Sequence, residues 1–416
     1  MSILIKNTIL DKKETDLLIK DNTITKIAPN VTDPADKIIN AKNKAVIPSF
    51  INSHTHAAMN LFKGYADDMD VMHWLQEIIW PLEEKLTEED VYWGTKLACL
   101  EMIKSGTTCF NDMYWHFHGT AKAADEMGLR AIVASVFIDF FDPKKANDQK
   151  EECEKLFQES RKYSDRIKFS LGPHAIYTVS KDSLIWIKDF ADKNNLLIHI
   201  HLSETQTEAE NCVKQYNLRP CEYLANIGFL GPNVIAAHSI WLTESEIALL
   251  AKHNVKIVHN PVSNMKLASG IFPYKKLSSK VKIALGTDGC ASNNNLDMFE
   301  EMKFASLLQK TANMQPTMLP AKETLDLATK NPAEIFNLNC SKIEVGMIAD
   351  LLLIDLNKIN IFPDHNLVSN LVYAANSSIV DTTICNGKIL MENRKIDGEE
   401  EIKKQAIKTL TKLIDL

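Results

Sequence analysis

The stretch Val46-Ile-Pro-Ser-Phe-Ile-Asn-Ser-His-Thr-His-Ala-Ala-Met-Asn60 decides the fold predicted for this chain. Its apolar first half predicts a short buried strand, and His54 and His56 lie at the end of that strand. Side chains two residues apart on extended backbone leave the same face, so both imidazoles can reach one point. This arrangement predicts half of a metal site. Two polar residues that leave a strand for solvent would show the same spacing.

The composition is that of an ordinary globular protein. The 416 residues are 45% hydrophobic and 24% charged, which supports a large core in two or three domains, or in one barrel with additions. A net charge of −7 with dispersed Lys and Arg argues against nucleic acid as a partner. Eight dispersed cysteines without a Cys-x-x-Cys pair indicate a reducing compartment. With no signal-peptide core and no long apolar run, we expect a cytoplasmic protein without a membrane partner.

From about residue 47 the pattern alternates between amphipathic helices and short strands rich in β-branched residues. The eight candidate strands end near Asn52, Asp112, Ile138, Pro173, Ser203, His238, His259 and Asp288. Helical periodicity fills the gaps, for example at 90–105, 120–127, 182–194 and 244–253. Eight strands separated by helices over roughly 290 residues predict an α/β fold with a parallel (β/α)8 TIM-type barrel. The insert at 61–89 is expected to lie over the barrel mouth.

Strand signals at both ends of the chain predict a second, composite domain. Residues 3–10 and 15–28 predict strands with a turn at Asp21-Asn22. Residues 349–356 and 378–396 predict further strands, the second pair folded about Asn386-Gly387, a strong hairpin turn. A final amphipathic helix is predicted over 399–414. Because neither half has enough strands to be stable alone, we expect one small β-sandwich from residues 1–46 and 345–416, beside a catalytic barrel of residues 47–344.

Polar side chains recur where the predicted barrel strands end. His199, His201 and Glu204 belong to the fifth strand and its end, His238 ends the sixth strand, and Asp288 ends the eighth. The C-terminal strand ends of such a barrel converge on one face, where active sites lie. Each residue alone is as easily a hydrogen-bonded core histidine or a turn former. Together with the first pair of histidines, the set predicts a metal-dependent active site.

Three neutral imidazoles and one carboxylate suit one divalent ion such as Zn²⁺, with Fe²⁺ or Mn²⁺ as alternatives. Such an ion lowers the pKa of a bound water toward neutrality, which gives hydroxide at physiological pH. Asp288 can accept the water's proton, Glu204 can carry it to the substrate, and His238 can stabilise developing charge. A second metal needs a bridging ligand such as a modified lysine, and the end of the fourth strand carries His174 instead.

Several strings in the chain resemble the amidohydrolase superfamily, and within it the 5′-methylthioadenosine/S-adenosylhomocysteine deaminases and their chlorohydrolase-like relatives. They include Pro48-Ser-Phe-Ile-Asn-Ser-His-Thr-His, His201-Leu-Ser-Glu, His259-Asn-Pro-Val-Ser-Asn-Met and Leu285-Gly-Thr-Asp-Gly-Cys, and the resemblance covers nearly the whole chain. It implies one metal on His54, His56, His201 and Asp288, with Glu204 and His238 as catalytic partners. It also implies hydrolytic deamination at C6 of methylthioadenosine or S-adenosylhomocysteine to the inosine form, with release of ammonia.

The resemblance also implies substrate contacts. Trp74 and Glu83 occupy the part of the insert that contacts the nucleoside in the subgroup, and His174 matches a histidine near the substrate. Glu204 would contact the ring as it protonates a ring nitrogen. Core packing of Trp74 and a solvated helix face for Glu83 are the plain alternatives. Some members use arginines after the third strand for the homocysteine carboxylate, and residues 134–143 contain none.

Other functions stay open at this point. A related deaminase would act on 5′-deoxyadenosine, adenosine or 6-amino-6-deoxyfutalosine, and an amidohydrolase with the same metal would act on cyclic amides or halogenated triazine-like rings. A non-catalytic scaffold would have lost a ligand, and none is lost. The cytidine-deaminase type is excluded because its His-x-Glu and Pro-Cys-x-x-Cys motifs are absent. The expected partner is a small adenine nucleoside, and a homo-oligomer is left open.

Overall fold

The computed structural model describes residues 2–65, 67–69, 73 and 75–414. The first part of the chain forms strands β1 (Ser2–Leu10), β2 (Lys13–Lys20), β3 (Thr23–Ala28), β4 (Lys37–Asn40) and β5 (Lys44–Pro48). β1 pairs antiparallel with β2 and parallel with β4 and β5. The predicted turn at Asp21-Asn22 joins β2 to β3, so the early strand signals are confirmed.

The next eight strands form a parallel sheet in chain order, with each strand paired to its neighbour. They are β6 (Phe50–Thr55), β7 (Thr107–Asp112), β8 (Arg130–Phe137), β9 (Ile167–Pro173), β10 (Leu197–Leu202), β11 (Val234–His238), β12 (Lys256–His259) and β13 (Ile283–Leu285). Fully buried side chains such as Phe50, Phe137 and Ile198 pack between these strands and the surrounding helices. This is the predicted (β/α)8 barrel.

The barrel closes where the loop after β13 meets β6. The backbone N–H of Asp288 donates to the carbonyl oxygen of His54 at 3.0 Å. The side-chain amide of Asn52 accepts from the N–H of Thr287 at 3.0 Å and donates to the Thr287 hydroxyl at 2.7 Å. These bonds hold the loop that carries Asp288 against the strand that carries His54.

Helices alternate with the barrel strands and continue beyond them. They are α1 (Trp80–Glu83), α2 (Glu88–Ser105), α3 (Phe117–Glu126), α4 (Pro143–Glu159), α5 (Lys181–Asn194), α6 (Gln206–Tyr216), α7 (Pro220–Asn226), α8 (Glu244–Lys252), α9 (Pro261–Lys266), α10 (Tyr274–Leu277), α11 (Cys290–Asn293), α12 (Met298–Ala312), α13 (Ala321–Ala328), α14 (Lys330–Ile335), α15 (Leu367–Tyr373) and α16 (Glu399–Ile414). Within the described residues, no helix has both the length and the apolarity that crossing a bilayer requires.

Local sequence signals set the ends of α2. Thr87 and Asp90 form a reciprocal capping box at its start, and Gly106 ends it with φ of 88°. A capping box satisfies two backbone N–H groups that the first helical turn leaves free. Glycine takes the left-handed conformation of a helix end without steric penalty. The helix therefore begins and ends where the chain must turn between β6 and β7.

Strands β14 (Leu351–Asp355), β15 (Val380–Cys385) and β16 (Lys388–Met391) complete the N-terminal sheet. Its order is β16-β15-β14-β5-β1-β2-β3, with β4 beside β1. A bridge links Thr23 of β3 to Ile348, just before β14, around an apolar core that includes Ile5, Leu17 and Leu353. The predicted composite of both chain ends is confirmed, and Asn386-Gly387 forms the predicted hairpin turn with φ of 50° and 71°.

The sequence prediction was wrong about the run from Val46 to Ile51, which is two strands rather than one. β5 ends at Pro48, which pairs with Leu351 of β14, whereas β6 begins at Phe50 and pairs with β7. Proline has no N–H with which to continue a strand ladder. The chain therefore passes from the composite sheet to the barrel at Ser49.

Candidate metal centre and active site

Two histidines and one carboxylate meet where β6 and the loop after β13 lie side by side. The Nε2 atoms of His54 and His56 lie 3.3 and 3.2 Å from the same oxygen, Oδ1 of Asp288. The side chain of His54 is fully buried, and those of His56 and Asp288 are 13% and 8% exposed. The alternation of side chains along extended backbone puts both imidazoles on one side, as the sequence predicted.

His201, on β10, adds a third imidazole to this group. Its Nε2 lies 3.3 Å from the Nε2 of His56. The opposite ring nitrogens donate to backbone carbonyls, Nδ1 of His56 to Met113 at 2.6 Å and Nδ1 of His201 to His174 at 2.9 Å. A neutral imidazole that donates through Nδ1 carries a lone pair on Nε2. When both rings are neutral, two lone pairs face each other, an arrangement that a cation between them stabilises.

The donor set fits one divalent ion. Candidate ligand atoms of His54, His56 and Asp288 lie within 4.8 Å of one another, as do those of His54, His201 and His238. The Nε2 of His54 is buried and makes no hydrogen bond within the described residues. Buried polar atoms are normally satisfied, so this nitrogen is available as a ligand. Imidazole nitrogens with one carboxylate are typical of Zn²⁺ and similar ions.

The pKa values of these groups reflect their burial and the charge of Asp288. Burial lowers the pKa of His54 to about 4, so its ring is neutral at pH 7, as ligation requires. Burial by itself lowers the pKa of His56, but the hydrogen bond and charge of Asp288 raise it to about 9. Burial by itself raises the pKa of Asp288, but its contacts with both histidines hold it well below the usual range. Asp288 therefore attracts positive charge to the imidazole nitrogens beside it.

His238 and Glu204 lie on the far side of Asp288. The Nε2 of His238 is 3.9 Å from Oε2 of Glu204 and 4.0 Å from Oδ2 of Asp288. Both distances are too long for direct hydrogen bonds, and polar groups at such spacing are commonly bridged by water. The Nδ1 of His238 lies 2.8 Å from Oδ1 of Asn264, to which it donates. The Nε2 therefore presents a lone pair to the gap between the two carboxylates.

The backbone is in an unfavourable conformation where these residues leave their strands. Ser203 has φ of 50°, His238 of 67°, Ser239 of 53° and Asp288 of 65°. Left-handed backbone is uncommon for residues other than glycine, and it persists where surrounding structure holds it. The C-terminal ends of β10, β11 and β13 thus share a strained geometry at the candidate site, as is common in active sites.

Two adjoining cavities open above this group. The inner one has a volume of about 70 Å³ and is lined by His174, Glu204 and Asp288, among others. The outer one has a volume of about 660 Å³ and is lined by Phe140, Lys145 and Gln149, among others. Trp80, Glu83, Tyr114, Trp115, Val136 and Ile138 border both cavities. The insert after β6 thus separates the metal-binding side of the site from a wider space outside it.

The residues predicted to contact substrate divide into described and undescribed ones. Glu83 lines both cavities and accepts from the indole Nε1 of Trp115 at 3.1 Å, and burial raises its pKa. His174 lines the inner cavity, and burial lowers its pKa to about 3, so the ring is neutral. Glu204 borders the same cavity. Trp74 lies outside the described residues.

Sequence reasoning named His199 without giving it a role, and it missed the two serines that orient this group. Ser263 donates to Oδ2 of Asp288 at 2.6 Å, and Ser269 donates to Oε1 of Glu204 at 3.3 Å. The Nε2 of His199 lies 2.8 Å from the Nδ1 of His54, opposite its metal-facing nitrogen. Ser263 and Asn264 belong to the string after the seventh strand that carried the family resemblance. Their place at a strand end was the available signal.

A family model described as "Amidohydrolase family" matches residues 45–390. The chain belongs to the amidohydrolase family. This amidohydrolase is 47% identical to the 5′-deoxyadenosine deaminase of Methanobrevibacter smithii, a match that covers 99% of the chain and 98% of that relative. It is also 47% identical to the 5-methylthioadenosine/S-adenosylhomocysteine deaminase of Thermococcus sibiricus, over 94% of each chain. The family predicted from the strand-end motifs is confirmed.

Solved structures agree with the fold of this amidohydrolase. An adenosine deaminase from Xanthomonas campestris with bound zinc has a TM-score of 0.93 and 32% identity, and the match covers 100% of this chain and 98% of that one. The atrazine chlorohydrolase TrzN from Arthrobacter aurescens, complexed with zinc, has a TM-score of 0.90 at 19% identity, over 98% of this chain and 100% of that one. At that identity the second likeness concerns the fold alone.

Proposed function

We propose that this amidohydrolase is a metal-dependent deaminase of adenine nucleosides altered at C5′, with 5′-methylthioadenosine, S-adenosylhomocysteine or both as its substrates. The reaction adds water at C6 of the adenine ring and releases the 6-amino group as ammonia, which leaves the inosine form. The placement of Glu204, His238 and Asp288 around one gap, beside a cluster of three imidazoles, carries this proposal. The names of two relatives at 47% identity support it.

The first part of the proposal concerns the metal ligands: His54, His56, His201 and Asp288. Their facing lone pairs and the free Nε2 of His54 support this set. Zinc is the ion to test first, because the relative from Xanthomonas campestris has bound zinc. An ion held there would lower the pKa of a water molecule toward neutrality.

The second part concerns proton transfer by the chain's own residues. His238 and Asp288 face the gap with a lone pair and with Oδ2, so both can hold the attacking water, and Asp288 can take its proton. Glu204 lies across the gap and delivers a proton to N1 of the ring, which makes C6 more electrophilic. Proton transfer by a positioned side chain contributes about 10²- to 10⁴-fold to a rate. A hydrolysis that releases ammonia needs both a base for the water, here Asp288, and an acid for the ring, here Glu204.

The third part concerns the substrate outside the ring. Glu83 lies on the border of the two cavities, where it can accept hydrogen bonds from the ribose hydroxyls. The outer cavity would then hold the group at C5′. Glu84, Glu88, Glu152 and Lys145 line it, and no arginine is among its described lining residues. Without an arginine among these residues, the lining offers no bidentate partner for a homocysteine carboxylate, which leaves room for a smaller group such as methylthio.

The test is an ammonia-release assay of the zinc-loaded enzyme. It compares 5′-methylthioadenosine, S-adenosylhomocysteine, 5′-deoxyadenosine, adenosine, guanine and a chlorinated triazine, the last followed by chloride release. We expect the highest kcat/KM with a 5′-modified adenosine. Faster turnover of guanine or of the triazine than of every adenosine would reject the proposed function.

A further inference from the structure

Glu208 binds the backbone that carries Glu204. Its Oε1 accepts from the N–H of Ser203 at 2.8 Å, and its Oε2 accepts from the N–H of Glu204 at 2.8 Å. Glu208 is buried, with 8% of its surface exposed. A buried carboxyl group is stable only when it is hydrogen-bonded, and these two N–H donors favour its ionised form against the effect of burial, which raises its pKa to about 7. One side chain therefore fixes two successive peptide groups.

A second helix that begins with the same Thr-x-x-Glu motif shows that this arrangement is not ordinary capping. Thr205 and Thr243 precede α6 and α8, and each accepts from the N–H of the glutamate three residues later, Glu208 or Glu246. Glu246 returns the bond to the N–H of Thr243 itself at 2.9 Å, which completes a capping box. Glu208 instead reaches one and two residues further back. The glutamate of this motif thus caps its own helix in α8, whereas in α6 it binds the backbone at the end of the strand that precedes Glu204.

The segment that Glu208 holds is strained. Ser203 has φ of 50°, and its carbonyl oxygen accepts from the N–H groups of Ile240 and Trp241 at 3.0 and 2.9 Å. Both peptides that flank the Cα of Ser203 are thus bonded to Glu208, and the second of them is also bonded to the chain after β11. Left-handed backbone at a residue other than glycine persists only when its surroundings hold it. Removing Glu208 removes one of these two restraints.

The side chain of Glu204 lies between two cavities. It borders the inner cavity of the active site and, on its other side, a separate cavity of about 280 Å³ lined by Thr205, Glu208 and Asn211, among others. A side chain between two cavities can reach either, and the conformation of its backbone determines which rotamers are favourable and where they point. Proton transfer requires the carboxyl group within hydrogen-bond reach of the ring nitrogen. Rotation into the second cavity would end that contact.

We propose that Glu208 is a positioning residue for Glu204, and that its two hydrogen bonds keep the Glu204 carboxyl turned toward the substrate ring. This inference rests on the proton-transfer role of Glu204 in the proposed function. It assigns to Glu208 no contact with substrate or metal. Its effect on the reaction passes entirely through the backbone of residues 203–204.

The main test is a double-mutant cycle with Glu208→Gln and Glu204→Gln. Glutamine keeps the volume of Glu208, but its NH2 group faces one of the two N–H donors, so one bond is lost. In the Glu204 parent we expect Glu208→Gln to lower kcat at least 10-fold, with KM changed less than 3-fold and zinc content unchanged. In the Glu204→Gln background the same substitution should change kcat less than 2-fold, because residues that act through each other are not additive.

The matched control is Glu222→Gln. Glu222 occupies the same third position in α7 and accepts from the N–H of Arg219 at 3.0 Å, a bond that stays within its own helix start. We expect its kcat to stay within 2-fold of the parent. If Glu208→Gln does not fold, Glu208→Asp keeps the charge but is one methylene too short to reach both amides. It should then show a kcat loss of at least 3-fold at unchanged zinc content.

Three results would overturn the inference: an unchanged kcat in folded, zinc-loaded Glu208→Gln or its aspartate substitute, an equal loss in both backgrounds, or a loss of zinc together with activity. Failure of the proposed function looks different. In that case Glu204→Gln alone would retain the parent kcat, whatever Glu208 does.

Discussion

The proposed metal-binding side of the active site and its proposed substrate side are built in different ways. The metal-binding side consists of buried residues on barrel strands and directly after them, and each imidazole has a backbone or side-chain partner that orients it. The substrate side comes from the insert after β6 and the loop after β8. There, short helical segments carry Trp80 and Glu83, and Phe140 is 48% exposed.

The difference shows how one barrel can keep its chemistry and change its substrates. β6 is paired with β7 and β10 with β11, and the backbone groups of His54 and His201 are also bonded to those of Asp288 and His174. The positions of both histidines therefore depend on neighbouring parts of the barrel. Trp80 and Glu83 of the insert contact the side chains of Phe140 and Trp115 and take no part in strand pairing, so we expect changes there to leave the sheet intact. Function in such barrels is varied through loops. Substitutions on the two sides should therefore fail in different ways.

The largest effect is expected on the metal-binding side. His54→Ala removes a proposed ligand whose Nε2 lies 3.3 Å from Oδ1 of Asp288, so zinc and deaminase activity should be lost together. Elemental analysis and ammonia release measure the two losses. The exposed His365 provides the control, because His365→Ala should leave both unchanged. Full zinc content in His54→Ala would remove it from the ligand set.

The next effect separates chemistry from metal binding. Glu204→Gln keeps the size of the side chain but cannot deliver a proton, so kcat should fall by about 10³-fold while zinc content stays at the parent level. Glu210→Gln, an exposed change on α6, should behave as the parent. If kcat in Glu204→Gln stayed within 10-fold of the parent, another residue would have to be the proton donor.

A smaller effect is expected from the hydroxyl that orients Asp288. Ser263→Ala removes the donor to Oδ2 at 2.6 Å without touching a ligand atom. Loss of such an outer partner typically weakens metal affinity or activity about 10- to 100-fold. A zinc-chelator competition assay and kcat measure this change, with the exposed Ser278→Ala as control. An unchanged chelator titration together with an unchanged kcat would show that Asp288 is held well enough by the N–H of Gly289.

The residues that could be predicted from the sequence are mainly those on the barrel strands. The metal-side residues could be predicted because the period of two along a strand and the common edge of a parallel barrel both follow from local pattern. His201 and Asp288 lie near His54 only through sheet order, and sheet order follows from the alternation of strands and helices. The chain ends could be predicted for the same reason, since the Asn386-Gly387 turn specifies its hairpin locally.

The orienting residues could not be predicted in this way. Glu208 and Glu246 have the same local motif, and only the tertiary path of the chain before α6 makes Glu208 reach back to residues 203 and 204. Ser263 donates to Asp288 across 25 residues of sequence. The split at Ser49 was missed because two consecutive buried strands of different sheets show one continuous apolar run. Such contacts depend on the three-dimensional path of the chain, which the periodicity of apolar residues in the sequence does not reveal.

The smallest predicted effect lies on the substrate side and concerns preference rather than rate. Phe140 lines the outer cavity, and its ring packs edge-on against Trp80 with centroids 5.7 Å apart. If this cavity holds the group at C5′, Phe140→Ala should lower kcat/KM for 5′-methylthioadenosine more than for adenosine. A lost methylene-sized contact changes such a ratio by about 10-fold or more in a closed pocket. Because the ring is half exposed, we expect about 3-fold.

The matched control for this small effect is Phe141→Ala. Phe140 and Phe141 both have left-handed backbone, with φ of 47° and 63°, and similar exposure, 48% and 43%. Phe140 is among the residues that line the outer cavity, and Phe141 is not. Phe141→Ala therefore repeats the change in backbone preference and exposed apolar area without the cavity contact, and its substrate ratio should stay at the parent value. Equal shifts in both variants would mean that the loop, and not the cavity wall, sets the preference, and the C5′ group would then have to lie elsewhere.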